Sequence, residues 1–220
     1  MTNQRAVIFA NGEITDLNSL RQLLRAGDLC IAADGGLRHL FALGVMPSVL
    51  IGDLDSVTPL DVEKAREQGT QVLKFPVDKN ETDLQLAIQY AVEAGCLEII
   101  ITAALGGRLD QTLGNIFLLM QPALQEINCR LDDGREEVFL IASSAEITGS
   151  PGDVVSLLPV GEPVYDVKTE EMKYPLVYEK LFPDQTRGIS NVMLSRHAKV
   201  TISRGKLICI HTRQIMPVTK

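Results

Sequence analysis

The first 120 residues of this sequence alternate short apolar runs with helical patterns, and that rhythm leaves few folds open. Residues 6–10 (AVIFA), 29–33 (LCIAA), 49–51, 71–75 and 97–102 (LEIIIT) are apolar runs of strand length. Between them, residues 17–25 place Leu17, Leu20 and Leu24 on one helical face before Gly27, and Leu37, Leu40 and Leu43 repeat the device before Gly44. A helix is expected near 59–68. Another begins at Thr82-Asp83-Leu84-Gln85, whose spacing is that of a capping box, and carries Leu84, Ile88, Ala91 and Val92 on one stripe as far as Gly95. Residues 113–120 form the last helical pattern. Strands that take turns with helices imply a parallel sheet, because parallel neighbours need long crossover connections.

After Pro122 the texture changes. Residues 137–142, 145–148, 154–158, 164–167, 188–194, 198–203 and 206–212 are short β-like segments divided by turn residues such as Gly149-Ser150-Pro151-Gly152. Val200 and Ile202 run into Arg204-Gly205, and Ile208 and Ile210 run out, a hairpin pattern. No helix of useful length fits. The fold class expected is an α/β N-terminal domain with a mostly parallel, Rossmann-like sheet, followed by an all-β domain built as a small sandwich or barrel. The boundary is expected at residues 1–125 and 126–220. A chain of 220 residues is long enough for two such cores.

Composition narrows the function. The chain has 28 Asp+Glu against 21 Lys+Arg, a formal charge of −7, which argues against a nucleic-acid partner because phosphate neutralisation needs cations. No apolar run is long enough to span a bilayer and no signal peptide opens the chain, so no membrane association is expected. Cys30, Cys96, Cys129 and Cys209 lack metal-ligand spacing. Cys30 and Cys209 lie in apolar runs, where cysteine acts as a small hydrophobe, and a reduced, cytoplasmic protein is expected.

In open parallel sheets, ligands gather beyond the carboxyl ends of the strands. The loops there are Asn11-Gly12, Asp34-Gly35-Gly36, Asp53-Leu54-Asp55-Ser56, the segment from Lys79 to Asp83, and Gly106-Gly107-Arg108-Leu109-Asp110. Four of the five carry Asp and three carry Gly. Taken singly each is weak: Asp-Gly-Gly is most often a turn, Asp83 suits a helix start, and Arg108 with Asp110 makes a surface ion pair. Together they gather carboxylates at one sheet edge, where they would repel unless a cation neutralises them. Hard oxygen ligands in that number suit Mg²⁺ bridging to substrate phosphates. No P-loop and no well-formed Gly-x-Gly-x-x-Gly is present.

These loops, taken in order, resemble those of the thiamine pyrophosphokinase (thiamine diphosphokinase) family. The resemblance continues through Val155-Ser156-Leu157-Leu158-Pro159, Lys173-Tyr174-Pro175-Leu176 and Gly188-Ile189-Ser190-Asn191, and so covers nearly the whole chain. It implies a catalytic ATP- and Mg²⁺-binding α/β domain, then a thiamine-binding β-sandwich, in a homodimer whose active sites lie between subunits. It also implies the reaction in which the hydroxyl of thiamine attacks the β-phosphorus of ATP and AMP leaves. By the same resemblance, Asp34, Asp53, Asp55 and Asp83 are the metal cluster, and Asp53, Asp55, Asp83 and Arg108 are catalytic. Asn11, Asp34, Gly35, Gly36, Asp53, Asp55 and Lys79 bind ATP, while Thr82, Arg108, Asp110, Ser190 and Asn191 bind thiamine.

The sequence departs from the family in two places. Gln111 stands where many bacterial members carry His, and there is no tryptophan, so ring stacking falls to Phe or Tyr or to aliphatic contacts near Met193-Leu194. His39, His197 and His211 have no partner at metal spacing and read as structural or surface residues. Two other functions fit the acidic loops: a pyrophosphokinase for another heterocyclic alcohol, such as a hydroxymethyl-pterin, and a non-catalytic nucleotide or thiamine sensor.

Overall fold

The computed structural model describes residues 4–14 and 16–214. Two compact units divide the chain after Gly134. In the first unit the strands are β1 (Arg5–Phe9), β2 (Leu29–Ala33), β3 (Val49–Gly52), β4 (Gln71–Lys74), β5 (Glu98–Thr102) and β6 (Asn128–Asp132). They pair in the order β6-β5-β1-β2-β3-β4, every pair parallel. Helices α1 (Leu17–Leu23), α2 (Leu37–Leu43), α3 (Pro59–Glu67), α4 (Asp83–Glu93) and α5 (Leu109–Leu118) lie in the connections between these strands.

Strand β1 lies inside the sheet and is buried along its whole length, as an apolar run covered on both faces should be. Its one charge, Arg5, is held by two bonds to Asp28, at 2.8 and 2.6 Å, and by a bond of 2.6 Å to the Leu23 carbonyl. Helix α4 buries Leu84, Ala87, Ile88 and Ala91 on its inner face. The Thr82 hydroxyl caps it by accepting from the Gln85 amide at 3.2 Å, the first half of the expected capping box.

Two differences from expectation matter. Helix α5 begins at Leu109 rather than at residue 113, so Asp110 falls in its first turn. Strand β6 lies beyond the expected boundary at 125/126 and extends the parallel sheet, so the first unit ends at Gly134. Polar Asn128 and Arg130 alternate with buried Cys129 and Leu131 in β6, and that mixture hid it from a search for apolar runs.

The second unit holds β7 (Glu136–Ile141), β8 (Ser144–Thr148), β9 (Val154–Pro159), β10 (Val164–Glu170), β11 (Glu179–Leu181), β12 (Asn191–Val192), β13 (His197–Thr201) and β14 (Leu207–Thr212). One sheet runs β12-β9-β14-β7 and the other β11-β10-β13-β8, both antiparallel. Ile141, Val155, Leu157 and Cys209 from the first sheet share a core with Ile147, Val164, Val167 and Val200 from the second. This is a β-sandwich.

The expected hairpin at Arg204-Gly205 does not form. Strand β13 pairs with β8 and β10, whereas β14 pairs with β7 and β9. Ala198 and Val200 face the core from one sheet, and Leu207 and Cys209 face it from the other. The turn therefore crosses the sandwich, and sequence alternation alone does not separate that crossing from a hairpin. The expected strand at 188–194 shrinks to Asn191–Val192, because Ser190 takes a left-handed backbone (φ 60°). Strand β11, three residues long, had no sequence signal.

His211 on β14 is fully buried, with Nε2 at 3.0 Å from Asp153 and Nδ1 at 3.3 Å from Glu137. Burial alone would lower its pKa, but hydrogen bonds to Glu137 and Asp153 outweigh that and raise it. Asp153 also accepts the amides of Ser150 and Gln214, each at 2.8 Å. Burial would raise its carboxyl, yet these amides and His211 hold it below the usual range. All four cysteines are buried and free. Among the described residues no helix is long and apolar enough to cross a membrane.

Candidate active site

Strands β2, β3 and β4 follow β1 on one side, and β5 returns to its other side, which makes β1 the switch point of the sheet. A ligand crevice belongs there. A cleft of about 540 Å³ opens at that place, lined by the residues after β1 (Ala10 to Gly12), after β2 (Asp34), after β3 (Asp53, Asp55) and after β5 (Ala103, Ala104). Three of these loops hold a non-glycine residue in left-handed conformation: Asp34 (φ 46°), Leu54 (φ 66°) and Ala103 (φ 55°). Such backbones cost free energy and persist where the surroundings enforce them, most often at functional sites.

Carboxylate oxygens of Asp34, Asp53 and Asp83 lie within 4.8 Å of one another. Close approach of backbone makes this possible: a Cβ on Gly52 would stand 3.0 Å from Asp34 Cβ and 3.2 Å from Asp83 Cγ. Asp34 is 94% buried, being 6% exposed, and its Oδ1 has no hydrogen-bond partner. Asp83 Oδ1 stands 3.0 Å from Lys79 Nζ but off the hydrogen-bonding direction, so it too accepts no bond. Unsatisfied buried carboxylate oxygens cost stability, so a cluster of them calls for a cation.

Lys79 supplies one positive charge to this cluster. Its Nζ lies 3.5 Å from Asp53 Oδ2 and donates to the Pro76 carbonyl at 3.2 Å. Burial pushes its pKa down, but the close contact with Asp83 and the charges of Asp83 and Asp53 raise it overall. Burial drives the Asp83 carboxyl up against the pull of Lys79, helped by the nearby charges of Asp53 and Asp34. Asp53 moves the other way, held down first by the backbone amide of Asp55 and then by Lys79.

The other expected residues divide into those at the cleft and those beside it. Asp55 lines the cleft but lies outside the three-carboxylate group; Ser56 Oγ donates to it at 3.0 Å. Asn11, Thr82 and Asp110 line the cleft as well. Gly35 and Gly36 are buried beneath it and serve packing: a Cβ on Gly36 would collide with the Phe9 carbonyl, and one on Gly35 with the Asn11 amide. Arg108 and Asp110 form an exposed ion pair of 2.6 Å at the start of α5, and that contact holds the Asp110 carboxyl low.

Ser190 and Asn191 belong to the second unit. Ser190 is exposed, and its amide donates to Ser156 Oγ at 3.1 Å. The Asn191 amide group is committed to the chain itself: Oδ1 accepts from the Tyr174 and Val192 amides at 2.9 Å, and Nδ2 donates to the Tyr174 carbonyl at 2.7 Å. It holds the Lys173-Tyr174 segment, with the Tyr174 ring half exposed.

Sequence reasoning missed two groups. Arg38 Nη2 donates to the Asn11 and Gly12 carbonyls, at 2.9 and 3.1 Å, and His39 Nε2 lies 2.9 Å from the Gly12 carbonyl. These two side chains pin the first strand-end loop from α2. Beside Gln111, which the sequence had singled out, Gly114, Asn115 and Leu118 line the cleft from α5. Their spacing of three and four residues is a helical face, a signal that the later helix start had obscured.

Comparison with known proteins gives the family. The family model for the thiamin pyrophosphokinase catalytic domain matches residues 20–131, and the one for the thiamin pyrophosphokinase vitamin B1 binding domain matches residues 142–208. Thiamine pyrophosphokinase of Bacillus subtilis is 27% identical over 194 residues, covering 84% of this chain and 87% of its own. Thiamine pyrophosphokinase 1 of Oryza sativa is 25% identical over 199 residues, covering 79% and 75%. The crystal structure of the Bacillus subtilis enzyme superposes with a TM-score of 0.85 at 26% identity, covering 96% of this chain and 100% of that one. A parallel sheet with an acidic switch-point cleft, followed by an antiparallel sandwich, is thus the architecture of a diphosphate-transferring kinase. The chain belongs to the thiamine pyrophosphokinase family.

Proposed function

We propose that this protein transfers the diphosphate of ATP to the hydroxyl of thiamine, giving thiamine diphosphate and AMP, with Mg²⁺ as its metal. The observation that carries this reading is the group of Asp34, Asp53 and Asp83, with two buried oxygens that have no hydrogen-bond partner. A set of hard carboxylate oxygens fits magnesium, which binds through a few carboxylates and substrate phosphates. When bound there it would neutralise phosphate charge and align the transfer.

The chain's own residues do the rest. The thiamine hydroxyl oxygen bonds to the β-phosphorus and its proton passes to solvent, while the bond from the β-phosphorus to the α,β-bridging oxygen breaks and AMP departs with that oxygen and the electron pair. Asp34, Asp53 and Asp83 hold the metal, and Asp55 lines the same cleft. Lys79 and Arg108 offset phosphate charge, and Asn11 and Thr82 line the path of the substrates. Asp110, kept anionic by Arg108, faces the aminopyrimidine. From the second unit, Ser190 meets thiamine directly, whereas Asn191 acts by holding Tyr174, a ring able to stack in a chain without tryptophan. The protein works in the cytoplasm, in keeping with four free thiols, as a homodimer with its active sites between subunits. An apolar stripe left exposed on α5, Leu109, Leu113 and Phe117, supports that assembly.

AMP release from ATP, followed with and without thiamine and Mg²⁺, tests the reading. Release is expected only when both are present. Release with a hydroxymethyl-pterin but not with thiamine would overturn the substrate, and tight ATP binding without turnover on either alcohol would overturn catalysis.

A further inference from the structure

Lys79 occupies the seat that the metal would need. Its side chain is only 11% exposed, and its ammonium lies 3.0 Å from Asp83 Oδ1 and 3.5 Å from Asp53 Oδ2, two of the three clustered carboxylates. The third, Asp34, keeps an unpaired buried oxygen, so one ammonium does not satisfy the group. The cluster thus sets three carboxylates against one ammonium. A divalent ion bound to these oxygens at about 2.0–2.1 Å would stand within about 5 Å of the ammonium. With the side chains of Lys79, Asp53 and Asp83 only 11%, 12% and 22% exposed, two like charges at that range are weakly screened and repel strongly.

We propose that Lys79 is the counter-cation of the three-carboxylate group and is exchanged for the divalent metal. Metal entry removes the two carboxylates that hold Lys79 and frees its ammonium for an anionic ligand in the cleft. The lysine then has two successive partners, carboxylate before loading and phosphate after. This deepens the Mg²⁺–ATP reading and rests on it. It gives Lys79 an effect on metal affinity opposite in sign to its effect on turnover.

Mn²⁺ binding to the nucleotide-free protein, read by electron paramagnetic resonance, tests the exchange. Lys79→Gln is expected to bind Mn²⁺ about tenfold tighter than the wild type, or more, because the competing charge is gone. Lys79→Arg keeps the charge and is expected to stay within about twofold of the wild type. Thermal melting supplies a second readout that also checks folding: without metal, Lys79→Gln melts lower than the wild type, and Mn²⁺ raises its midpoint by more. Equal or weaker Mn²⁺ binding in Lys79→Gln, with binding still abolished by Asp34→Asn, would overturn the exchange and leave the metal-site reading standing. Absence of Mn²⁺ binding in every variant, with or without ATP, would overturn both.

Discussion

Asp34 in the first unit and Asp153 in the second are both buried carboxylates, and they are treated in opposite ways. Asp153 accepts two backbone amides at 2.8 Å and faces His211 at 3.0 Å. Asp34 sits on a left-handed backbone with one oxygen that meets no donor. A buried polar group that is fully paired adds to stability, and one left unpaired costs about 1–3 kcal/mol or more. The sandwich spends its buried charge on holding itself together, whereas the cleft keeps its charge open for a ligand.

The sharpest way to break this comparison is Asp34→Asn. AMP release should fall by about 10²–10³-fold, the size of effect that follows loss of one electrostatic contact to a reacting group. The melting point should hold or rise, because an unpaired buried charge has been removed. A variant that keeps its activity and melts lower would assign Asp34 to structure. Asp153→Ala should do the reverse. Leaving His211 without one of its carboxylates is expected to cost about 3 kcal/mol in denaturant unfolding. AMP release per folded molecule should stay as in the wild type.

The same clasp predicts a pH dependence with a definite sign. The pKa of His211 is raised in the folded state, so its contribution is complete below the ordinary imidazole value of 6.5 and disappears as the pH climbs through the raised value. Asp153 is lowered, so its contribution is present above the ordinary 3.8 and disappears as acid protonates it in the folded protein. Melting points between those limits should be highest, and should decline on the alkaline side. His211→Gln should flatten the alkaline decline; an unchanged profile in that variant would remove His211 from the explanation. The smallest effect belongs to the exposed counterpart, His197 with Glu146 at 3.1 Å, whose side chains are 62% and 68% exposed. Glu146→Gln should change stability by less than about 0.5 kcal/mol.

The first unit was legible because its inner strands are buried on both faces and read as unbroken apolar runs, as in residues 6–10 and 97–102. The acidic loops were legible because a parallel sheet sends all of them to one edge. Strand β6 escaped because its polar residues alternate with buried ones, and β11 because three residues hold no period. The supposed hairpin shows the limit of period-2 reasoning, which tells which side chains face inward but not from which sheet. At the site, the carboxylates could be foreseen from residue type and position. Arg38 and His39 could not, since they act by pinning carbonyls of a loop distant in sequence.

Strand β14 carries a consequence for how the chain acquires its fold. It lies inside its sheet, between β7 and β9, although both of those strands precede it by many residues. Until β14 arrives, β7 and β9 each lack a neighbour and expose an edge able to pair with another chain. Such long-range closure is slow, and the first unit, whose last strand β6 ends at Asp132, is synthesised before it. During synthesis the first unit can therefore be complete while the sandwich still waits for its central strand. That interval is when the protein is most exposed to aggregation.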